Sequence, residues 1–187
     1  MQIRLVDFGR AIDEVSRYDV HHSRRLYERF HSLFKDRVNG AIAGDHVRKQ
    51  LGMNIRHADL FFVDNDGREY IVEFKLSLTS GRSLYDHNPF EQAKGLLHMV
   101  KQLGLSQGNI NGLFLVIYST RERDLKQNVL RFIRDVLRLR GTLDLYGNIL
   151  WPNAYGIMNV VGRDRRLVRV KGLPGDPFLY IVDLGWG

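Results

Sequence analysis

The hydrophobic positions along the chain change period several times, and each change predicts an element. In HHSRRLYERFHSLFKDRV (21–38), Leu26, Phe30, Leu33 and Phe34 fall at helical spacing, and Asn39-Gly40 offers a stop. Residues 40–56 favour no single period, and a turn with a short strand or helical piece is expected there. Leu60–Val63 and Tyr70–Leu76 are apolar runs separated by Asp64-Asn65-Asp66-Gly67, which predicts a β-hairpin. The polar stretch SLTSGRSLYDHN reads as a loop. PFEQAKGLLHMVKQLG then opens a helix at Pro89, where a missing N–H is harmless, and closes it at Gly104.

Further along, GLFLVIYS (112–119) is continuously apolar, as a strand covered on both faces should be. Ser119 and Glu122 have capping-box spacing for a helix running to about Arg140. Its apolar face is Leu125, Val129, Phe132, Ile133 and Val136, with Arg131, Arg134 and Arg138 opposite. The tail alternates short β-like runs with turns: LDLYGNILW, AYGIMNVV, RRLVRVKG and FLYIVDLG. There is no internal repeat. The expectation is an α/β fold with a mixed sheet and a β-rich C-terminal part.

Charge within the hairpin complicates this pattern. Alternation puts Ile71, Glu73 and Lys75 on one face of the second strand, and Tyr70, Val72 and Phe74 on the other, facing a core. Asp59 opens the first strand. Counted from a turn centred on Asn65-Asp66, it lies across from about residue 72; a bulge or longer loop would set it against Glu73. Two carboxylates that close repel unless a cation lies between them, and Mg²⁺ favours such oxygen ligands. A lysine beside the ion would position the attacking water and offset phosphate charge. The plainer account is a cross-strand Glu–Lys pair on a solvated sheet face. An EF-hand is ruled out: Asp64, Asp66, Gly67 and Glu73 fit its spacing, but Phe62 would hold the first ligand position, between strands rather than helices.

Composition narrows the function classes. The chain of 187 residues carries 28 Lys+Arg against 21 Asp+Glu, a net charge of +7, which favours a nucleic-acid partner. Without cysteine there is no disulfide, thiolate metal site or cysteine nucleophile. No apolar run approaches membrane-spanning length, so no membrane partner is expected. MQIRLVDFGRAIDEV lacks the features of a secretion signal, and a cytoplasmic location is expected. No phosphate-cradling glycine motif predicts a nucleotide cofactor. His21, His22, His31, His46 and His57 match no ligand spacing and read as surface residues.

An Asp at a strand start, a hairpin, thirteen intervening residues, then Glu73-Phe74-Lys75 and a helix resembles the PD-(D/E)XK nuclease superfamily, with Ala58 in place of the family's proline. The resemblance covers about residues 20–120. It implies a restriction-endonuclease-like α-β-β-β-α-β core within one nuclease domain, 1–187, with a helix (120–140) and a β-rich tail (141–187) as extension. It implies that Asp59, Glu73 and the Phe74 carbonyl hold Mg²⁺, with Mn²⁺ able to substitute, and that Lys75 orients the nucleophilic water. Gln92 stands where many members carry a helix glutamine; a solvent-facing residue is the alternative. Some members add a glutamate from the first helix. Glu28 is the candidate here, although it lies well away from the apolar face and, unless the site lies beside that outer face, reads as merely a solvated charge.

The expected activity is metal-dependent hydrolysis of DNA, by a stand-alone endonuclease that is structure-specific or restriction-like, and homodimeric by resemblance. The alternative is an inactive nucleic-acid-binding or assembly protein on the same fold. Arg24, Arg25, Arg82, Arg131, Arg134 and Arg138 are candidate phosphate contacts.

Overall fold

A computed structural model of the chain describes residues 2–18, 24–75, 82–117, 131, 132, 135, 149, 150, 170 and 172–184. In chain order the elements are α1 (Phe8–Tyr18), α2 (Arg24–Phe34), β1 (Val38–Ala43), α3 (Gly44–Leu51), β2 (Leu60–Asp64) and β3 (Glu69–Lys75). They continue with α4 (Arg82–Asp86), α5 (Pro89–Gln102), β4 (Ile110–Ile117), β5 (Ile149–Leu150) and β6 (Phe178–Asp183). The strands form one mixed sheet in the order β1-β2-β3-β4-β6-β5. β1, β2 and β3 pair antiparallel, whereas β3–β4, β4–β6 and β6–β5 are parallel.

Alternation along the strands builds two cores. Phe61, Ile71, Leu113, Leu115 and Ile117 face one way, against Val47 of α3 and Phe90, Leu96 and Met99 of α5. Leu60, Phe62, Tyr70, Val72, Phe74, Phe114 and Val116 face the other way, against Phe8, Ile12 and Val15 of α1 and Leu26, Phe30 and Phe34 of α2. The second core is aromatic: Phe30 meets Phe74 edge-on at 5.1 Å, and Phe62 stacks on Tyr70 at 4.9 Å. Each such ring stabilises the fold by roughly 1.5–3 kcal/mol relative to exposure. The result is helices on both faces of the sheet, with β4 covered on both sides, as its unbroken apolar run requires.

Several boundaries differ from the sequence expectation. The helix expected over 21–38 ends at Phe34, and Asn39-Gly40 belongs to β1 instead of terminating it. Glycine suits that strand position because a Cβ on Gly40 would lie 3.1 Å from the Leu5 Cβ, where the N-terminal segment bridges Val6 to Ala41. α1 was not anticipated, although Phe8, Ala11, Ile12 and Val15 have helical spacing and are all buried. The loop expected after β3 carries the short α4. Of the expected helix at 120–140, residues 131, 132 and 135 are described, and all are helical. Phe132 is buried and stacked against Phe90 at 5.9 Å. Within the tail, FLYIVDLG supplies β6; the runs AYGIMNVV and RRLVRVKG lie outside the described residues, apart from Val170 and Gly172.

Two charges of the hairpin are turn anchors. Asp64 is buried: its Oδ1 accepts from the amides of Asp66 (2.9 Å) and Arg68 (2.8 Å), and its Oδ2 from the Tyr70 hydroxyl (3.2 Å). Glu69, also buried, accepts from Ser106 Oγ at 2.9 Å and from the Gln107 amide, tying the loop after α5 to the turn end of the hairpin. Both therefore have the hydrogen bonds that buried carboxylates need.

Candidate active site

The hairpin register determines where Asp59 stands. Gly67 adopts φ of 80° and closes a three-residue connection, Asn65–Gly67, with the Asp64 amide donating to the Arg68 carbonyl at 2.9 Å. This gives the pairs Val63↔Glu69 and Leu60↔Val72, one step from a turn centred on Asn65-Asp66. Just beyond the last pair, the Asp59 amide donates to the Val72 carbonyl at 3.1 Å, and its Oδ2 accepts from the Phe74 amide at 2.8 Å. Asp59 thus straddles Glu73.

Glu73 does not project from an exposed sheet face. It shares the Ile71 face, which α5 covers, and is only 3% exposed. Parity correctly separates the two faces of β3, but both are interior. Lys75 Nζ lies 3.1 Å from Glu73 Oε1 and donates to Gln92 Oε1 at 3.0 Å. Gln92 reaches it from the first turn of α5, whose N-cap is Asn88, the side chain of which accepts from the Phe90 amide at 2.9 Å. The structure therefore brings Asp59, Glu73, Lys75 and Gln92 into one cluster. Among the described side-chain atoms, Glu73 Oε2 is buried with no hydrogen-bond partner. Burial pushes the Glu73 carboxyl well above the usual carboxylate range, and the Asp59 charge adds to this while Lys75 opposes it.

Compared with known proteins, the chain matches no family model, no curated protein and no solved structure.

Of the other expected residues, Arg24, Arg25 and Glu28 lie apart from this cluster. α2 packs against the sheet face opposite α5, so Arg24 and Arg25 occupy the other helical layer from Gln92. Arg24 is also exposed and paired with Asp13 (3.4 Å) and Glu28 (3.3 Å), which makes Glu28 one half of a solvated ion pair. Arg82 sits in α4, its side chain outside the described part; Arg131 is exposed; Arg134 and Arg138 lie outside the described residues. No described helix is long and apolar enough to cross a membrane.

His57 was read from the sequence as a surface residue and is not one. Its side chain is 12% exposed, with Nε2 3.3 Å from Asp45 Oδ1 and Nδ1 2.9 Å from the Ala58 carbonyl. Burial lowers the affinity of the ring for its second proton, but Asp45 and the Ala58 carbonyl outweigh it, and the net shift is upward. Asp45, at the start of α3, is held below the usual carboxylate range chiefly by its hydrogen bond to His57. The sequence signal was position alone, two residues before Asp59.

Proposed function

We propose that this chain is a divalent-metal-dependent nuclease of the PD-(D/E)XK type, hydrolysing phosphodiester bonds in DNA, on a restriction-endonuclease-like core built from α2, β1, β2, β3, α5 and β4. One observation carries the reading. Asp59, Glu73, Lys75 and Gln92, separated by up to 33 positions in the chain, meet at one end of β3, with a buried carboxylate oxygen left without a donor. A plain structural ion pair would not need a second carboxylate beside it. A hard cation would satisfy the Glu73 oxygen and relieve its repulsion from Asp59.

Asp59 and Glu73 would hold the ion, with the Phe74 carbonyl completing the protein ligands. Among the described residues no group of three or more His, Asp or Glu side chains gathers, so water and substrate oxygens would fill the remaining positions. Bound there, the ion supplies Lewis-acid polarisation of the phosphate and a more acidic water.

The chain's own residues do the rest. Lys75, 10% exposed and tethered between Glu73 and Gln92, holds its ammonium at the rim of the cluster. There it orients the attacking water and offsets charge on the phosphate. Gln92 fixes the Lys75 rotamer. The net charge of +7 favours a polyanionic substrate, and DNA and a homodimer follow from the same resemblance.

The test is cleavage of linear, supercoiled and branched DNA with Mg²⁺ or Mn²⁺, by wild type, Asp59→Ala and Lys75→Ala. Cleavage by wild type alone supports the reading. Equal cleavage by all three refutes it, and binding of DNA without cleavage by any of them favours an inactive nucleic-acid-binding protein.

A further inference from the structure

We propose that His57, braced by Asp45, is the positioning residue that aims the Asp59 carboxylate; this rests on the reading of Asp59 as a cation ligand. Three polar groups of the two peptide units flanking Asp59 Cα are fastened. On one side the Asp59 amide donates to Val72 O at 3.1 Å, and the Ala58 carbonyl faces His57 Nδ1 at 2.9 Å. On the other, the Asp59 carbonyl accepts from the Gly44 amide at 2.8 Å. One residue earlier, the Ala58 amide donates to the Gln92 carbonyl at 2.8 Å, joining the segment to the helix that carries Gln92.

A carbonyl only accepts, so Nδ1 carries the proton in the contact with Ala58. Ala58 is fully buried, and its carbonyl therefore needs a donor from within the protein, which His57 provides. The ring is held at both nitrogens. Its far nitrogen faces Asp45 Oδ1, and Asp45 is in turn 3.6 Å from Arg48 Nε. The relay Arg48, Asp45, His57, Ala58 carbonyl sets the tilt of the peptide plane that precedes Asp59. That tilt sets the direction of the Asp59 Cα–Cβ bond, and so where its carboxylate lies beside Glu73. Space enforces the arrangement: a Cβ on Gly44 would lie 2.6 Å from His57 Nδ1 and would overlap the Ala58 carbonyl oxygen.

The experiment is Mn²⁺ binding to the full chain, followed by electron paramagnetic resonance and calorimetry, with thermal unfolding in parallel. The proteins are wild type, His57→Ala, His57→Asn and His57→Gln. An asparagine amide sits where Nδ1 was and can donate to the Ala58 carbonyl; glutamine reaches only the Nε2 position, toward Asp45. Wild type and H57N should bind Mn²⁺ within about threefold of each other, while H57A and H57Q weaken it by about tenfold, the usual scale for supporting groups around a metal. If H57A fails to fold, the contrast of H57N with H57Q decides. Wild-type affinity in H57Q overturns this proposal and leaves the site reading intact. Equal loss in all variants, H57N included, reduces His57 to a packing role and also overturns it. No Mn²⁺ binding by wild type ends the site reading, and this proposal with it.

Discussion

Replacing Glu73 with glutamine isolates what the buried carboxylate does to the metal-free protein. In the wild type one oxygen is satisfied by Lys75 at 3.1 Å and the other has no hydrogen-bond donor, with the Asp59 charge alongside. Leaving a buried polar atom unpaired costs about 1–3 kcal/mol, more when it is charged. Glutamine keeps an oxygen for Lys75 and removes the repulsion, at the loss of the charge on the ion pair. A net gain of about 2 kcal/mol is expected near neutral pH, or roughly 4–8 °C in Tm for a domain of this size. The pH dependence is specific. The folded pKa of Glu73 lies above its unfolded value, so at pH between the two the folded state holds a proton that the unfolded state has released. Wild-type stability from this group is therefore full below the ordinary glutamate range and falls as pH rises toward the folded pKa; E73Q lacks that slope. The assay is denaturant unfolding in EDTA from pH 4.5 to 8. Saturating Mg²⁺ should reverse the ranking, since a ligand at about 100 times its Kd adds about 2.7 kcal/mol to the wild type alone. An E73Q protein less stable than wild type in EDTA at neutral pH would refute the reasoning.

Three further outcomes follow from the same geometry. Lys75→Ala should cut DNA cleavage by about 10²–10⁴-fold while Mn²⁺ binding persists; loss of both in calorimetry would contradict the division of roles. Gly95→Ala should destabilise by about 1–3 kcal/mol in urea unfolding, because the new Cβ would overlap the Arg56 carbonyl oxygen, a backbone atom that cannot rotate away. An unchanged midpoint would show that α5 does not press on this segment. Asp64→Ala strands two turn amides and the Tyr70 hydroxyl, and a loss of about 1–3 kcal/mol is expected by the same measurement; a smaller loss would mean that water replaces the carboxylate.

The hairpin and the helix beginning at Pro89 were legible in the sequence because their signals are local: Asp-Asn-Asp-Gly makes the turn, and Asn88-Pro89 starts the helix. The cluster itself was legible as a motif, while its exact register was not. A three-residue connection in place of a two-residue one moves Asp59 by one position, and that choice depends on the backbone at Gly67. The burial of Glu73 was hidden for a different reason. Alternation says which residues share a face, but not that a helix later in the chain will cover it. His57 escaped notice because its partner, Asp45, belongs to a helix within a stretch that showed no dominant period. Gly40 misled for a related reason. It looks like a helix stop, and its role is to admit Leu5 against a strand.

The placement of β6 has a consequence for how the molecule is made. β4 contributes buried side chains to both cores, and the neighbour on its far edge is β6, paired with it from Gly112↔Phe178 to Ile117↔Asp183. That neighbour lies after residues 118–177, so a ribosome must add about 60 residues before the edge of β4 can be capped, several seconds at ordinary elongation rates. Until then Leu113, Phe114, Leu115, Val116 and Ile117 lack the partner strand they have in the folded sheet, and an unpaired edge is the kind that recruits other chains. The nascent chain is thus open to misassembly after the cluster of Asp59, Glu73, Lys75 and Gln92 has been synthesised and before its sheet is closed.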